Sequence, residues 1–196
     1  MTLPKVVLYG SINVGKTSLL YRLKNEKYID SLQPTIGISF CDFEKQIGNS
    51  IIRFNIWDTA GQERYKSVVP LYLRNVDIVL LCFNHTTNNQ TIQEQLQTLR
   101  EHLRDQVDGC KIFMVMTKCD ESETILFDKQ DYHIYMTSSK TGKGITELFD
   151  DIATTIYKKY ISQRDIDGNL IKNSGDSIDI YYANEDFIDQ QSNCWC

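Results

Sequence analysis

The chain has 196 residues, of which 41% are hydrophobic and 24% charged, which fits one globular domain with a full core and a short tail. No apolar stretch is long enough to span a membrane, and six cysteines without a C-x-x-C pair indicate a reduced cytosolic protein rather than a disulfide or zinc framework. The net charge of −5 comes from residues 164–196, whereas residues 1–163 are balanced, which excludes nucleic acid as a main partner.

Strand-like and helical patterns alternate along the first 160 residues. The patterns predict strands over residues 5–9, 38–47, 51–57, 77–83, 111–116 and 133–137. They predict helices over residues 17–25 and 91–107, and a closing helix that carries Ile145, Leu148, Phe149, Ile152 and Ile156. This alternation favours a mainly parallel α/β sheet that binds ligands at the carboxyl ends of its strands.

The first predicted strand leads into residues 10–17, which have the G-x-x-x-x-G-K-[ST] pattern of a phosphate-binding loop. Gly10 and Gly15 permit the bends that turn backbone N–H groups towards a polyanion, and the helix that follows adds its positive end. In such a loop Lys16 reaches the β- and γ-phosphates and the Thr17 hydroxyl ligates Mg²⁺. The predicted phosphate-binding residues are Ser11, Asn13, Val14, Gly15, Lys16, Thr17, Ser18 and Gly61.

Two further segments predict a metal ion and an attacking water beside that loop. Asp58 ends a buried strand and is placed to hold Mg²⁺, while Gly61 lets its N–H approach a γ-phosphate. Gln62 can orient the water, which makes it the predicted catalytic residue. Thr35 is expected to complete the Mg²⁺ shell, with Pro34 in a loop that orders when the third phosphate is present.

The segments after the last two strands are suited to a guanine base. A carboxylate such as Asp120 accepts both N–H donors of guanine, and adenine lacks these donors. The Lys118 stem can cover the base plane, the ring of Tyr28 can stack on it, and backbone N–H groups of residues 138–140 are expected to reach its O6. The predicted guanine-binding residues are Thr117, Lys118, Asp120, Ser138, Ser139 and Lys140.

With these segments in order, the chain resembles the Ras-like small GTPases, and among them the Rab family. Residues 57–65 (WDTAGQERY) and 36–40 (IGISF) carry the resemblance most specifically. It implies a P-loop NTPase G domain over residues 1–163, with a six-stranded, mostly parallel sheet. It also implies a monomeric GDP/GTP switch that uses Mg²⁺, hydrolyses GTP and acts in vesicle or endomembrane trafficking.

The same resemblance implies partners and a lipid anchor. The partners are an exchange factor, a GTPase-activating protein, effectors, a GDP-dissociation inhibitor and the prenylation machinery. Residues 164–196 predict a disordered acidic tail, which ends in Cys194-Trp195-Cys196 and is similar to the Rab C-x-C prenylation signal. We therefore expect a protein of the cytosol that is lipid-anchored to the cytoplasmic face of endomembranes.

Four features depart from the family pattern. Thr117 stands where asparagine is usual and is too short to copy both of its contacts, to the base and to the phosphate loop. Ile12 and Asn13 stand where glycine or a small residue is usual, and the branched side chain of Ile12 predicts slow hydrolysis by crowding Gln62 and an incoming arginine finger. Leu32 replaces a covering aromatic residue, and the short, aperiodic segment between Asp120 and Ser138 predicts a shortened or missing fourth helix.

Three alternatives remain open at this point. A GTP-binding scaffold with very slow or no hydrolysis is favoured by Ile12 and Leu32 and disfavoured by Gln62 and Thr35. A Rho-like switch is favoured by Thr117 and disfavoured by the C-x-C end. A P-loop nucleotide kinase or ATPase leaves Asp120, Thr35 and the terminal cysteines without a role.

Overall fold

The computed structural model describes residues 3–61, 69–103, 109–122, 133–161 and 181–182. Its strands are β1 (Lys5–Tyr9), β2 (Ile38–Ile47), β3 (Ser50–Thr59), β4 (Ile78–Asn84), β5 (Lys111–Thr117), β6 (Ile134–Met136) and β7 (Tyr181–Tyr182). Its helices are α1 (Lys16–Asn25), α2 (Val69–Tyr72), α3 (Asn89–Leu103) and α4 (Ile145–Ile161). Within the described ranges, none of these helices combines the length and the apolar character needed to cross a bilayer.

The strands form one sheet in the order β2-β3-β1-β4-β5-β6, with β7 paired to β3 outside this path. Strands β3, β1, β4, β5 and β6 are parallel and β2 is antiparallel to β3. This confirms the predicted six-stranded, mostly parallel sheet flanked by helices. Because the parallel strands end at one edge, the segments that follow β1, β3, β5 and β6 come together there.

Continuous apolar runs form the central strands because both faces of the sheet are covered. On one face, α1 and α4 pack over alternate residues of β1 and β4, including Val6, Leu8 and Leu80. On the other face, α3 packs over the intervening residues, including Val7 and Leu81. The core therefore fixes the sheet from both sides and leaves its carboxyl edge to the polar loops.

The turn between β2 and β3 is shorter than the three residues, 48–50, that the predicted strands leave between them. Residues Ile47 and Ser50 are paired, so Gly48 and Asn49 alone form the turn. Gly48 has φ +58°, a left-handed conformation that glycine adopts without steric cost. At its other end β3 continues to Thr59, so Asp58 lies within the strand rather than after it.

The tail differs from the prediction of an unstructured linker at one point. Residues Tyr181 and Tyr182 form β7, which pairs antiparallel with Ile51 and Ser50 at the start of β3. That end of β3 extends beyond its pairing with β1, which begins at Asn55, so its outer backbone groups are open to a further strand. The remainder of the predicted tail lies outside the described residues, as do residues 123–132 of the segment between Asp120 and Ser138 that was predicted to hold a short or missing fourth helix.

Candidate guanine-nucleotide site

The loop between β1 and α1 has the geometry of a phosphate cradle. Gly10 and Gly15 have φ values of +144° and +100°, and Asn13 is also left-handed at +59°. A Cβ atom on Gly10 would lie 2.2 Å from the Cys82 carbonyl oxygen, so β4 excludes any larger residue there. Helix α1 starts at Lys16 without a side-chain cap from the described residues, so its first N–H groups can bind a phosphate anion.

Lys16 is held at the centre of this loop. Its side chain is 5% exposed, and Nζ donates to the carbonyl oxygens of Gly10 and Ser11, each at 2.9 Å. Burial lowers the pKa of Lys16, and the nearby Asp58 carboxylate opposes that shift. An ammonium group has three donors, so one donor of Lys16 remains for a phosphate oxygen.

Three oxygen-bearing side chains meet where the sequence predicted Mg²⁺. Thr17 Oγ1 lies 2.6 Å from Asp58 Oδ2 and 2.6 Å from Thr35 Oγ1, and Thr35 Oγ1 lies 3.1 Å from the same carboxylate oxygen. Asp58 is fully buried, which raises its pKa, although hydrogen bonds from both threonines and the charge of Lys16 lower it. Among the described residues, the buried Asp58 Oδ1 has no hydrogen-bond partner. An all-oxygen set with an unsatisfied carboxylate oxygen fits a hard cation such as Mg²⁺.

Gly61 rests directly on the phosphate loop. A Cβ atom there would lie 2.6 Å from the Ile12 nitrogen, from Lys16 Nζ and from the Ser11 carbonyl carbon, so no larger residue fits. This contact brings the end of β3 against the part of the loop that faces a terminal phosphate. The predicted catalytic residue Gln62 lies just beyond, outside the described residues, and its role stays a prediction.

Thr117 makes one of the two contacts that its side chain was predicted to be too short to copy together. Its hydroxyl donates to the carbonyl of Val14 in the phosphate loop and also lies 3.1 Å from the carbonyl oxygen of Phe83. Thr117 is 2% exposed, so this link between β5 and the phosphate loop is buried. Threonine at this position therefore keeps the hydrogen bond to the phosphate loop. Only a contact with the base would need the longer side chain of asparagine.

The two predicted base-binding segments contact each other directly. Ser138 Oγ lies 2.5 Å from Asp120 Oδ1 and accepts the Thr141 N–H at 3.1 Å. The Ser138 N–H donates to the Lys143 carbonyl at 2.9 Å, so it is not free for the guanine O6. Ser138 thus orients the Asp120 carboxylate, and the predicted backbone donors are narrowed to Ser139 and Lys140.

A cavity of about 350 Å³ joins the phosphate loop, the loop before β2, Gly61 and Lys118. From the predicted set it is lined by Asn13, Gly15, Lys16, Thr17, Ser18, Tyr28, Pro34, Thr35, Gly61 and Lys118. Val14 is buried and does not line the cavity, and Ser11, which is also not in its lining, accepts a hydrogen bond from Gln95 of α3. Sequence reasoning missed Asp30, Gln33 and Thr59 in this lining. Thr59 carried a signal, since it directly follows Asp58, whereas the other two stand in a loop without a motif.

Comparison with known proteins agrees with this geometry. The sequence matches the Ras family over residues 5–158. The chain belongs to the Ras family. Within this family it is similar to RABA2b of Arabidopsis thaliana, with 31% identity over 180 residues that cover 85% of this chain and 83% of the relative.

Further relatives confirm the predicted Rab branch. The GTP-binding protein ypt5 of Schizosaccharomyces pombe is 33% identical over 160 residues, which cover 76% of this chain and 75% of ypt5. Rab-36 of Mus musculus is 31% identical over 175 residues, which cover 83% of this chain but only 65% of Rab-36, so the chain spans less than two thirds of that relative. The chain is therefore a divergent Rab-type member of the Ras family, and the Rho-like alternative is not favoured.

Proposed function

We propose that this Ras-family chain is a GTP hydrolase that alternates between GDP- and GTP-bound forms and regulates vesicle or endomembrane trafficking. The contact of Thr17, Thr35 and Asp58 is the observation that carries the proposal. It joins the phosphate loop, the loop before β2 and the end of β3 through a single set of oxygen atoms. A nucleotide kinase or ATPase has no need for that three-way junction.

The junction explains how a third phosphate is sensed. Thr17 and Asp58 belong to rigid elements, whereas Thr35 belongs to the loop before β2. Mg²⁺ bound to GTP neutralises charge on the β- and γ-phosphates. Mg²⁺ and the γ-phosphate would add to the contacts that Thr35 already makes with Thr17 and Asp58, so loss of the γ-phosphate would weaken the hold on the loop before β2.

Base selectivity rests on Asp120 and Lys118. Ser138 holds one oxygen of the Asp120 carboxylate, and the other oxygen remains to accept from guanine N1–H and its 2-amino group. Adenine would leave that carboxylate without donors at the base, which costs binding free energy. Lys118 lines the cavity, which supports a role for its stem in covering the base.

Hydrolysis is slow in this proposal because Ile12 stands at the reacting end of the site. Its side chain is 43% exposed and lines the cavity, and its backbone nitrogen lies against Gly61, next to the predicted Gln62. A branched side chain there competes for space with the attacking water and with an arginine supplied by an activating protein. The same observation favours a GTP-binding scaffold as the second candidate function.

The partners and location follow from the family. They are an exchange factor, a GTPase-activating protein, effectors that bind the GTP form, a GDP-dissociation inhibitor and the prenylation machinery. The chain is a monomer that binds the cytoplasmic face of endomembranes through lipid on Cys194 and Cys196. Both cysteines lie outside the described residues, and their C-x-C spacing is the support for this anchor.

One loading experiment tests the proposal. Purified protein is loaded with GTP and Mg²⁺, and formation and release of GDP are followed for hours with excess ATP as competitor. GDP formation that ATP does not suppress is the expected result, and Asp120→Ala should remove the preference for guanine. GTP retained without hydrolysis would favour the scaffold, and failure to hold guanine nucleotide would contradict both candidates.

A further inference from the structure

A glutamine on α3 reaches across to the phosphate loop. Gln95 Nε2 lies 2.8 Å from Ser11 Oγ, and 84 residues separate the two in sequence. A serine hydroxyl both donates and accepts, so the bond forms with either orientation of the Gln95 amide. No motif in the sequence marks Gln95, and only the folded chain brings it to this loop.

Ser11 is the point at which three parts of the site meet. Its carbonyl oxygen accepts from Lys16 Nζ at 2.9 Å. Its carbonyl carbon packs so closely on Gly61 that a Cβ there would approach to 2.6 Å. Its hydroxyl is the group that Gln95 binds. A shift of Ser11 would therefore move both the Lys16 ammonium and the segment that leads into Gln62.

Gln95 is not needed to dock α3 on the sheet. Four apolar side chains do this, and each is at most 2% exposed: Ile92, Leu96, Leu99 and Leu103. The Gln95 Oε1 atom is buried and lacks a hydrogen-bond partner within the described part of the chain. A buried amide with one unsatisfied atom costs free energy. A residue that only packed α3 against the sheet would avoid this cost, whereas a residue that positions Ser11 needs the amide.

We infer that Gln95 is a positioning residue for GTP hydrolysis, which acts by holding Ser11 from α3. The bond fixes the loop segment that orients Lys16 and supports Gly61 while the γ-phosphate is attacked. Gln95 itself does not touch the nucleotide in this scheme. The inference rests on the proposed hydrolase function, and it adds α3 to the elements that set the rate.

The test compares single-turnover hydrolysis with nucleotide affinity. Gln95→Met removes both amide groups at nearly constant volume, Ser11→Ala removes the partner, and Gln95→Glu keeps an acceptor for the Ser11 hydroxyl. Gln97→Met is the matched control, because Gln97 is exposed on the same helix and its side-chain amide donates to Glu101 at 3.1 Å. Amide hydrogen exchange of residues 10–16 reports the loop itself, without turnover.

A positioning role predicts that Gln95→Met slows hydrolysis by about 3- to 10-fold, the value of one ordinary hydrogen bond, while GTP affinity changes less than about twofold. Adding Ser11→Ala to Gln95→Met should not slow hydrolysis further. Gln95→Glu should restore part of the rate, and amide exchange of residues 10–16 should accelerate in Gln95→Met. The inference would be overturned if Gln95→Met hydrolysed GTP as fast as Gln97→Met, or if the losses of rate from Gln95→Met and Ser11→Ala were additive. If the wild-type protein did not hydrolyse GTP, the proposed function would fail, and unchanged loop exchange in Gln95→Met would separately refute the anchor.

Discussion

At the scale of single residues, the departures from the family pattern have different consequences in the structure. Thr117 is short, yet its hydroxyl still reaches the phosphate loop. Ile12 adds bulk at the open end of the cavity, where nothing in the described residues covers it fully. From Thr117 the sequence predicted weaker binding of the base, and from Ile12 it predicted slower GTP hydrolysis. Only the contacts in the structure show that these are two separate effects.

Replacing Thr117 with valine should loosen the nucleotide site. The change preserves shape but leaves the Val14 carbonyl without its donor, which should cost about 1–3 kcal/mol of unfolding free energy. Release of GDP should accelerate, because the tie between β5 and the phosphate loop is lost. Urea unfolding and GDP dissociation rates measure the two effects.

Thr137→Val is the matched control for that experiment. The Thr137 hydroxyl is also buried and donates to a backbone carbonyl, that of Met116, but it does not contact the phosphate loop. We expect it to lose stability without a matching change in GDP release. Equal acceleration in both variants would show that general loosening, not the loop contact, controls release.

Replacing Ile12 with glycine should raise the intrinsic hydrolysis rate by about tenfold, equivalent to roughly 1.4 kcal/mol of barrier, because space for the attacking water is restored. Stimulation by an activating protein should also increase. Ile12→Val retains the branched side chain and should stay slow. Single-turnover assays measure the rates, and a glycine variant no faster than wild type, with or without an activator, would refute the crowding mechanism.

At the scale of elements, the order of β1 to β6 with α1, α3 and α4 was predictable, because apolar periodicity and the loop motifs agree along the G domain, whereas α2 and β7 were not predicted. The exact ends of the strands were less predictable, since the sequence did not reveal that Asp58 lies within β3 or that Ser50 already pairs with Ile47. The role of Ser138 was also hidden, since its N–H is taken by Lys143, which follows it by five residues. Such details depend on tertiary hydrogen bonds that have no local pattern.

The β2–β3 turn provides a clean test at this scale. Gly48 has φ +58° and no atom within 4 Å of an added Cβ, so Gly48→Ala should cost only backbone strain, about 1 kcal/mol. Gly109→Ala is the matched control, because that site is equally open and carries no positive φ. Urea unfolding should separate the two variants. A neutral Gly48→Ala would mean that the turn relaxes to another conformation.

At the scale of the whole molecule, the tail connects the G domain to its proposed lipid anchor. The pairing of β7 with β3 lies at the start of β3, whereas the nucleotide site is built at the opposite end of that strand. The described part of the tail, Tyr181–Tyr182, therefore contacts the body at the end of β3 that lies away from the nucleotide site. Residues 164–196 carry seven acidic and two basic side chains, so anionic lipids repel this segment rather than attract it.

Loss of one terminal cysteine should therefore detach most of the protein from membranes in cells. A single lipid chain gives only marginal binding, and an acidic tail adds no electrostatic attraction to compensate. Cys196→Ser leaves Cys194 as the one remaining lipidation site in the C-x-C motif, and cell fractionation measures the membrane-bound share. Cys110→Ser, which changes a cysteine of the G domain, controls for loss of a thiol and should remain on membranes. Retention of Cys196→Ser equal to wild type would show that the anchor does not depend on two lipid chains, and the tail would then need another attachment to the bilayer.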